Sequence, residues 1–222
     1  MISNWEESKQ RSQYHFDTTQ MDPRYDTIKQ LGRVAVTWTD DLPDIVANSN
    51  PATWATRGYK GKDVQAPSEE LVKEEYDLEQ TGYGKDYVIT HLNWTIPASL
   101  QRIGDAFALA DCMNRIHVQV PGEVWNLHID KLYKWAPEDP SQVLRVFVAL
   151  TDWQQGHFWS YGNYTYSGWR AGDVTTFDWA NVPHATANAG HVPRATFQIT
   201  GVITPDTKKF LTRLKNSSIM TV

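Results

Sequence analysis

The sequence predicts a mainly β fold with flanking helices, arranged as a double-stranded β-helix or jelly roll. Short β-type runs follow one another through the second half of the chain, and Gly, Pro, Asp and Asn residues punctuate them. This spacing favours a sandwich or jelly roll over a parallel α/β sheet. The predicted strands span residues 115–120, 123–128, 143–153, 157–161, 164–169, 173–179, 184–188 and 195–203.

The first half of the chain carries fewer strand signals and more loop signals. Residues 1 to about 30 are polar and are expected to form an irregular arm. Strands are expected over residues 31–38 and 87–95. Residues 40–66 are expected to be loop-rich because prolines and glycines interrupt them, namely Pro43, Pro51, Gly58 and Gly61.

Three helices are predicted around the strands. Ser68 can cap a helix that runs to about Gln80. Residues 99–110 are apolar at helical spacing, which predicts a helix that packs on a sheet, and a last helix covers residues 206–215. We therefore expect one domain, described by three ranges: supporting arm, loops and helices over 1–110, a jelly-roll core over 111–205, and a helix or tail over 206–222.

Composition and charge argue against several classes of function. The 222 residues are 41% hydrophobic with a net charge of -5, so a nucleic-acid backbone gains no general electrostatic attraction. No apolar run reaches membrane-spanning length, and the first residues lack a secretory signal pattern. The single cysteine, Cys112, excludes an internal disulfide and suits a reducing compartment. We therefore expect a cytoplasmic protein without a nucleic-acid or membrane partner, and its oligomeric state stays open.

His128, Asp130 and the distant His184 form the most informative pattern in the chain. Residues i and i+2 of a strand point to the same face, so His128 and Asp130 can reach one metal ion. His184 follows a proline and begins a predicted strand, which a jelly roll can bring alongside the other two. Two imidazoles and one carboxylate can take one face of a ferrous ion and leave the opposite face open.

Arg194 adds specificity to this pattern. It follows His184 by ten residues, so a strand that leaves the metal could carry its guanidinium to the far end of a metal-bound dicarboxylate. A guanidinium fork suits a carboxylate better than a lysine does. The His-x-Asp tripeptide alone is a weak signal, and the second histidine and the arginine strengthen it.

The segment from Gly172 to Arg194 resembles the C-terminal signature of Fe(II)/2-oxoglutarate-dependent oxygenases. It is most similar to the branch that contains aspartyl/asparaginyl β-hydroxylases and bacterial free-proline hydroxylases. The free-proline enzymes also have a His-x-Asp pair, and the resemblance covers roughly residues 115–204. The matching positions are Gly172, Asp173, Phe177, Asp178, His184, Asn188 and Arg194.

This resemblance implies a catalytic jelly-roll core that binds Fe(II) through the two histidines and Asp130. The enzyme would use 2-oxoglutarate and O2, form succinate and CO2, and hydroxylate an unactivated C–H bond of an amino acid, free or within a peptide. Arg194 would pair with the C5 carboxylate of 2-oxoglutarate. Arg145 lies where the family has an Arg-x-His strand and is a second candidate contact to this cosubstrate, although Phe147 replaces the family histidine.

Several other residues are candidates for the surroundings of the site. Asn188 and Asp178 could orient the histidines or serve in packing and turns. Trp159 belongs to an aromatic-rich half that could line a pocket or pack a core, and Tyr133 could face the pocket mouth or the surface. Phe147 is a pocket candidate through the resemblance. Among the other histidines, His157 and His191 flank expected pocket loops, whereas core or surface roles are expected for His91 and His117, and His15 lies in the polar arm.

Two alternatives remain beside the oxygenase hypothesis. A cupin-like barrel could hold a metal for an enzyme that does not use 2-oxoglutarate, such as a cofactor-free dioxygenase or an isomerase. Such an enzyme has no need of an arginine aimed at a distal carboxylate. A non-catalytic jelly-roll module could instead bind a ligand such as carbohydrate through exposed tryptophans, and it would contain no stoichiometric metal.

Overall fold

The computed structural model describes residues 27–53, 87–130 and 132–222. The helix predicted from Ser68 to Gln80 lies outside the described residues, as does nearly all of the predicted N-terminal arm. None of the helices among the described residues has the length and hydrophobicity needed to cross a bilayer.

Eleven strands within the described residues pair in two antiparallel sheets. The larger sheet has the order β1-β9-β6-β11-β4-β3-β2, and the smaller has the order β5-β10-β7-β8. The strands are β1 (Ile28–Arg33), β2 (Asn50–Thr53), β3 (Val88–Asn93), β4 (Ala110–Gln119), β5 (Val124–His128), β6 (Val143–Ala149), β7 (His157–Tyr161), β8 (Tyr164–Tyr166), β9 (Asp173–Phe177), β10 (His184–Asn188) and β11 (Arg194–Val202). The predicted mainly β, jelly-roll fold class is confirmed.

In the described parts of the chain, three α-helices accompany the sheets: α1 (Leu42–Ala47), α2 (Ala98–Ala106) and α3 (Pro205–Asn216). Helix α3 begins one residue before the predicted start, and Thr204 caps it by accepting from the backbone N–H of Thr207. Its buried Phe210 packs edge-on against Phe107, which directly follows α2, with ring centroids 4.8 Å apart. Both helices thus contribute to the apolar layer that covers one face of the larger sheet.

The two faces of β11 have opposite character, and this positions the functional site. Ala195, Phe197 and Ile199 are buried in the apolar layer under the helices. The alternate residues face the smaller sheet and line a cavity between the sheets, because side chains alternate along a strand. These residues are Arg194, Thr196 and Gln198. A second apolar cluster, rich in aromatic residues, includes both Phe147 of β6 and Trp159 of β7.

The expectation of a loop-rich stretch over residues 40–66 is wrong for its first part. Helix α1 and strand β2 lie in it. Pro43 falls in the first turn of α1, where a missing N–H costs no helical hydrogen bond. Pro51 lies in β2, the last strand of the larger sheet, where proline is tolerated. Among the other bounds, β4 begins at Ala110 rather than at residue 115, and β1 ends at Arg33 rather than at residue 38.

Candidate metal centre

The side chains of His128, Asp130 and His184 meet in the cavity between the two sheets. One ligand atom from each residue lies within 4.8 Å of the other two. Nε2 of His128 is 4.0 Å from Oδ1 of Asp130, and Nε2 of His184 is 3.8 Å from Oδ2. Both histidines are buried, and the Asp130 side chain is only 12% exposed. The three residues that the sequence singles out therefore lie together.

Neighbouring strands place the two histidines. His128 ends β5 and His184 begins β10, and the two residues are direct cross-strand partners. Their ring centroids are 4.2 Å apart. The backbone N–H of Asp130 donates to the carbonyl of Trp179 at 3.1 Å, which fixes the chain just beyond β5.

Backbone carbonyls orient both imidazoles. Nδ1 of His128 lies 2.7 Å from the carbonyl oxygen of Asn126, and Nδ1 of His184 lies 3.3 Å from that of Val182. A proton on each Nδ1 satisfies these contacts and leaves the Nε2 lone pairs facing Asp130. Burial lowers the pKa of His184 and favours its neutral form, which is the form that binds a metal.

Asp130 carries its charge in a buried position because the Arg145 guanidinium lies beside it. Burial opposes ionisation, but the positive charge of Arg145 outweighs it and lowers the pKa of the Asp130 carboxyl. Nη1 of Arg145 donates to Oδ2 of Asp130 at 2.5 Å, and Nε of Arg145 donates to Oγ1 of Thr200 at 3.1 Å. Arg145 thus contacts a candidate metal ligand directly.

Arg194 lies in the same cavity, buried beneath aromatic rings. Its Nη2 donates to Oε1 of Gln119 at 2.7 Å, and its Nη1 donates to the carbonyl of Phe158 at 3.3 Å. The guanidinium carbon is 4.7 Å from the ring centroid of Trp159. Burial lowers the pKa of Arg194 to about 10, so the side chain stays cationic at neutral pH. No described carboxylate forms an ion pair with Arg194, and its buried Nε has no hydrogen-bond acceptor among the described residues.

The cavity has an empty volume of about 470 Å³, including its open mouth. The facing sides of the two sheets form its walls, and the lining combines arginines, histidines, amides and large aromatic rings. The described lining residues are Thr90, Arg115, His117, Gln119, Trp125, His128, Asp130, Arg145, Phe147, Trp159, His184, Thr186, Arg194, Thr196 and Gln198. Asp130 is the single carboxylate among them, so the cavity suits an anionic ligand.

A β-bulge in β5 brings Trp125 into this cavity. His184 pairs with His128, whereas Thr186 pairs with Trp125, so one extra residue of β5 lies between the two pairs. Strict alternation would place Trp125 and His128 on opposite faces. The bulge instead stacks the Trp125 ring on His128, with centroids 5.3 Å apart and an interplanar angle of 9°.

Several cavity residues besides Trp125 were not predicted from the sequence. His117, for which a core or surface role was expected, lines the cavity and has Nε2 3.0 Å from Oε1 of Gln198. Burial, reinforced by nearby arginines, holds the pKa of His117 well below its usual value. Arg115 and Gln119 share its inward face. Polar residues at every second position of a buried strand are a signal that could have identified this face.

The remaining candidates divide into lining residues and residues that hold loops. Phe147 and Trp159 line the cavity and pack edge-on, with centroids 5.3 Å apart. The other candidates lie at the surface or bond to backbone. Tyr133 is 47% exposed and packs against Trp179. Asn188 donates to the carbonyls of Gln119 and Val192, and Asp178 accepts from backbone N–H groups of Ala180 and Asn181.

Two of the remaining histidines that the sequence analysis considered also bond outside the metal cluster. Nε2 of His157 lies 3.2 Å from the carbonyl oxygen of Val192, and Nδ1 of His91 lies 2.8 Å from Oε1 of Glu123. His191 is exposed. His15 lies outside the described residues.

No protein-family model and no curated protein matches the chain. Solved structures do resemble it. A prolyl-4-hydroxylase from Pseudomonas putida matches with a TM-score of 0.50 and 14% identity, over 82% of this chain and 95% of that one. The non-haem α-ketoglutarate-dependent carbocyclase SnoK from nogalamycin biosynthesis matches with a TM-score of 0.44 and 15% identity, over 78% of this chain and 87% of that one. The plu4264 protein from Photorhabdus luminescens matches with a TM-score of 0.35 and 12% identity, over 57% of this chain and 86% of that one. At these identities, the similarity to the prolyl-4-hydroxylase shows a shared fold.

Proposed function

We propose that this protein is an Fe(II)- and 2-oxoglutarate-dependent dioxygenase that hydroxylates an unactivated C–H bond of an amino acid or peptide side chain. One observation carries the proposal. The cluster of His128, Asp130 and His184 shares a single buried cavity with the guanidinium of Arg194. A metal site alone would fit many enzymes, and the buried arginine adds a position for a second, anionic group.

The donor set fits a divalent transition metal. Two neutral imidazoles and one ionised carboxylate converge from one side, a set typical of ferrous oxygenases that keep open coordination positions. The Nε2 atoms of His184 and His128 lie 3.8 Å and 4.0 Å from the nearer oxygen of the Asp130 carboxylate, so the three groups would need only a small contraction around an ion. The choice of iron among divalent metals rests on the resemblance of residues 172–194 to the oxygenase signature.

The surroundings of Arg194 fit a carboxylate that reaches it from the metal. Trp159 covers the face of the guanidinium, so its N–H edges are the directions left for an anion. The Nε atom is buried without a described acceptor, which makes a bound carboxylate a natural partner. The hydroxyl of Thr196, two residues along the same strand face, lies in the same lining and can add a hydrogen bond.

Each part of the cavity then has a distinct task. His128, Asp130 and His184 would hold the iron, and Arg194 would bind and orient the C5 carboxylate of 2-oxoglutarate. The bound iron, 2-oxoglutarate and O2 supply the oxidising chemistry, with succinate and CO2 as coproducts. Phe147, Trp125 and Trp159 form apolar walls that exclude water from the reacting groups. A small-molecule or peptide substrate would enter through the open mouth of the cavity.

Succinate formation from 2-oxoglutarate tests this proposal. Purified protein supplied with Fe(II), ascorbate and O2 should form succinate, and a panel of amino acids and peptides should include one that stimulates the rate. An Asp130→Ala, His184→Ala double variant should lose the activity, whereas His191→Ala, which alters an exposed histidine, should keep it. Equal succinate formation by the double variant and the wild type would refute the proposal.

A further inference from the structure

The two carboxylate oxygens of Asp130 have different partners. Oδ2 accepts a hydrogen bond from Nη1 of Arg145 at 2.5 Å and lies 3.8 Å from Nε2 of His184. Oδ1 lies 4.0 Å from Nε2 of His128 and accepts no hydrogen bond within the part of the chain that the structure describes. Oδ2 therefore already shares its charge with a guanidinium, whereas Oδ1 has no such competitor for a metal.

The two strands that flank β6 in the larger sheet, β9 and β11, hold Arg145 in place. Arg145 in β6 lies directly opposite Thr200 in β11, and its Nε donates to Oγ1 of that threonine. From β9, Oγ1 of Thr176 donates to the carbonyl of Arg145 at 2.7 Å. The Arg145 side chain is 6% exposed. Three adjacent strands thus aim its guanidinium at Asp130 in a dry environment.

We propose that Arg145 keeps Asp130 a one-oxygen ligand and competes with the metal for the charge of this carboxylate. The inference rests on the proposed metal centre. With Oδ2 occupied, Asp130 would offer only Oδ1, and the three ligands would fill one face of the ion. The opposite face would stay open for a chelating cosubstrate and for O2. An Asp130 carboxylate bound through both oxygens would occupy one of these positions.

Removing the charge of Arg145 has two opposing effects on metal affinity. Losing a hydrogen-bond partner of a metal ligand typically weakens binding by about 10- to 100-fold. However, a guanidinium a few ångströms from a divalent ion repels it strongly in a buried site. In the metal-free protein, a variant would also leave the buried charge of Asp130 uncompensated, a cost that metal binding relieves. The loss of the repulsion and the uncompensated charge of Asp130 both favour metal binding, and together they outweigh the lost hydrogen bond. Neutral variants should therefore bind the metal more tightly.

Titration of metal-free protein with Co2+, followed by its visible absorption, tests the inference. Arg145→Met and Arg145→Gln should each bind Co2+ at least about tenfold more tightly than the wild type. Their absorption bands should also change in shape, because Asp130 gains a second oxygen contact to the metal. Arg145→Lys keeps the charge and should remain near the wild-type affinity. Arg115→Met removes a cavity arginine that donates to Gln198, and it should tighten binding less.

The outcome that overturns the inference is equal or weaker Co2+ binding by both neutral variants at Arg145. Thermal unfolding of each metal-free variant shows whether it is folded, and the glutamine variant keeps a polar group in case methionine is not accommodated. Failure of the metal centre itself is distinguishable. In that case the wild type would bind no stoichiometric Co2+, or His184→Ala would bind it as tightly as the wild type.

Discussion

His128 and His184 are direct partners in neighbouring antiparallel strands, and their rings lie 4.2 Å apart. The backbone register of β5 and β10 therefore sets the distance between the two imidazoles. Asp130 lies just beyond the end of β5, and its backbone N–H donates to the carbonyl of Trp179, which holds this segment in place. Backbone pairing and one backbone hydrogen bond thus bring the three side chains together.

The convergence of His128, Asp130 and His184 predicts that a divalent metal stabilises the wild-type protein against heat. Binding to the folded state alone stabilises it by an amount that grows with the ratio of metal concentration to the dissociation constant. Adding Mn2+ should therefore raise Tm for the wild type and leave Tm of His128→Ala almost unchanged. Differential scanning calorimetry measures both. A normal metal-induced rise in the His128→Ala protein would show that the ion binds elsewhere, and His191→Ala serves as the control.

Arg194 should control the affinity for 2-oxoglutarate and not the affinity for the metal. Replacing it with lysine keeps the positive charge but loses the planar fork, so we expect KM for 2-oxoglutarate to rise about 10- to 100-fold. The matched control is Arg170→Lys, because Arg170 is exposed. Steady-state kinetics at several cosubstrate concentrations give the ratio. An unchanged KM in Arg194→Lys would remove this residue from the cosubstrate site.

The bulge in β5 puts Trp125 and His128 on the same face of the strand although they are three residues apart. Deleting Leu127 removes the extra residue between the pairs Trp125–Thr186 and His128–His184, so regular alternation would keep both side chains on the cavity face. We expect the deletion variant to bind Mn2+ in calorimetric titration, as should Leu127→Ala, which keeps the register. Loss of Mn2+ binding in a folded deletion variant would contradict the register described for β5.

The buried histidine His117 should make the protein less stable at acidic pH. Burial lowers its pKa in the folded state, whereas the unfolded chain keeps a pKa near 6.5. Below about pH 6.5 the unfolded state therefore binds more protons than the folded state, and the stability that is complete above this pH is progressively lost. One such group contributes a slope of up to about 1.4 kcal/mol per pH unit.

Urea unfolding of the metal-free protein from pH 7.5 to pH 5 checks this expectation. The free energy of unfolding should fall with pH in the wild type, and it should fall less steeply in His117→Asn. Burial lowers the pKa of His184 as well, so the variant should keep part of the slope. A slope identical to that of the wild type would show that His117 does not titrate differently in the folded and unfolded states.

Alternation and turn residues were sufficient to predict most of the fold. Strands β7 and β10 have the predicted bounds, and the fold class follows from short strands separated by turns. The prolines of α1 and β2 misled the prediction because their effect depends on position. A proline in a first helical turn or in the last strand of a sheet is accommodated, and only tertiary structure reveals these positions.

The metal cluster could be predicted because strand periodicity and one motif place its members. The ion pair between Asp130 and Arg145 could not be predicted, because it joins a side chain of β6 to one just beyond β5, and the sequence does not show how these two are directed. Trp125 was hidden by the bulge, which breaks the alternation on which the sequence argument depends. His117 was overlooked because a lone histidine in a strand has no visible ligand partner. Its position in the cavity follows from the pairing of β4 with β11.

Anaerobic titration with 2-oxoglutarate of the protein loaded with Fe(II) tests the central claim most directly. Chelation of the iron by the 2-oxo acid should produce a weak visible charge-transfer band that saturates with one equivalent of cosubstrate. Arg194→Met should require much more 2-oxoglutarate to reach the same band, because the distal carboxylate loses its buried partner. Saturating 2-oxoglutarate that gives no band on protein shown to hold stoichiometric iron would contradict the claim that this cavity binds both.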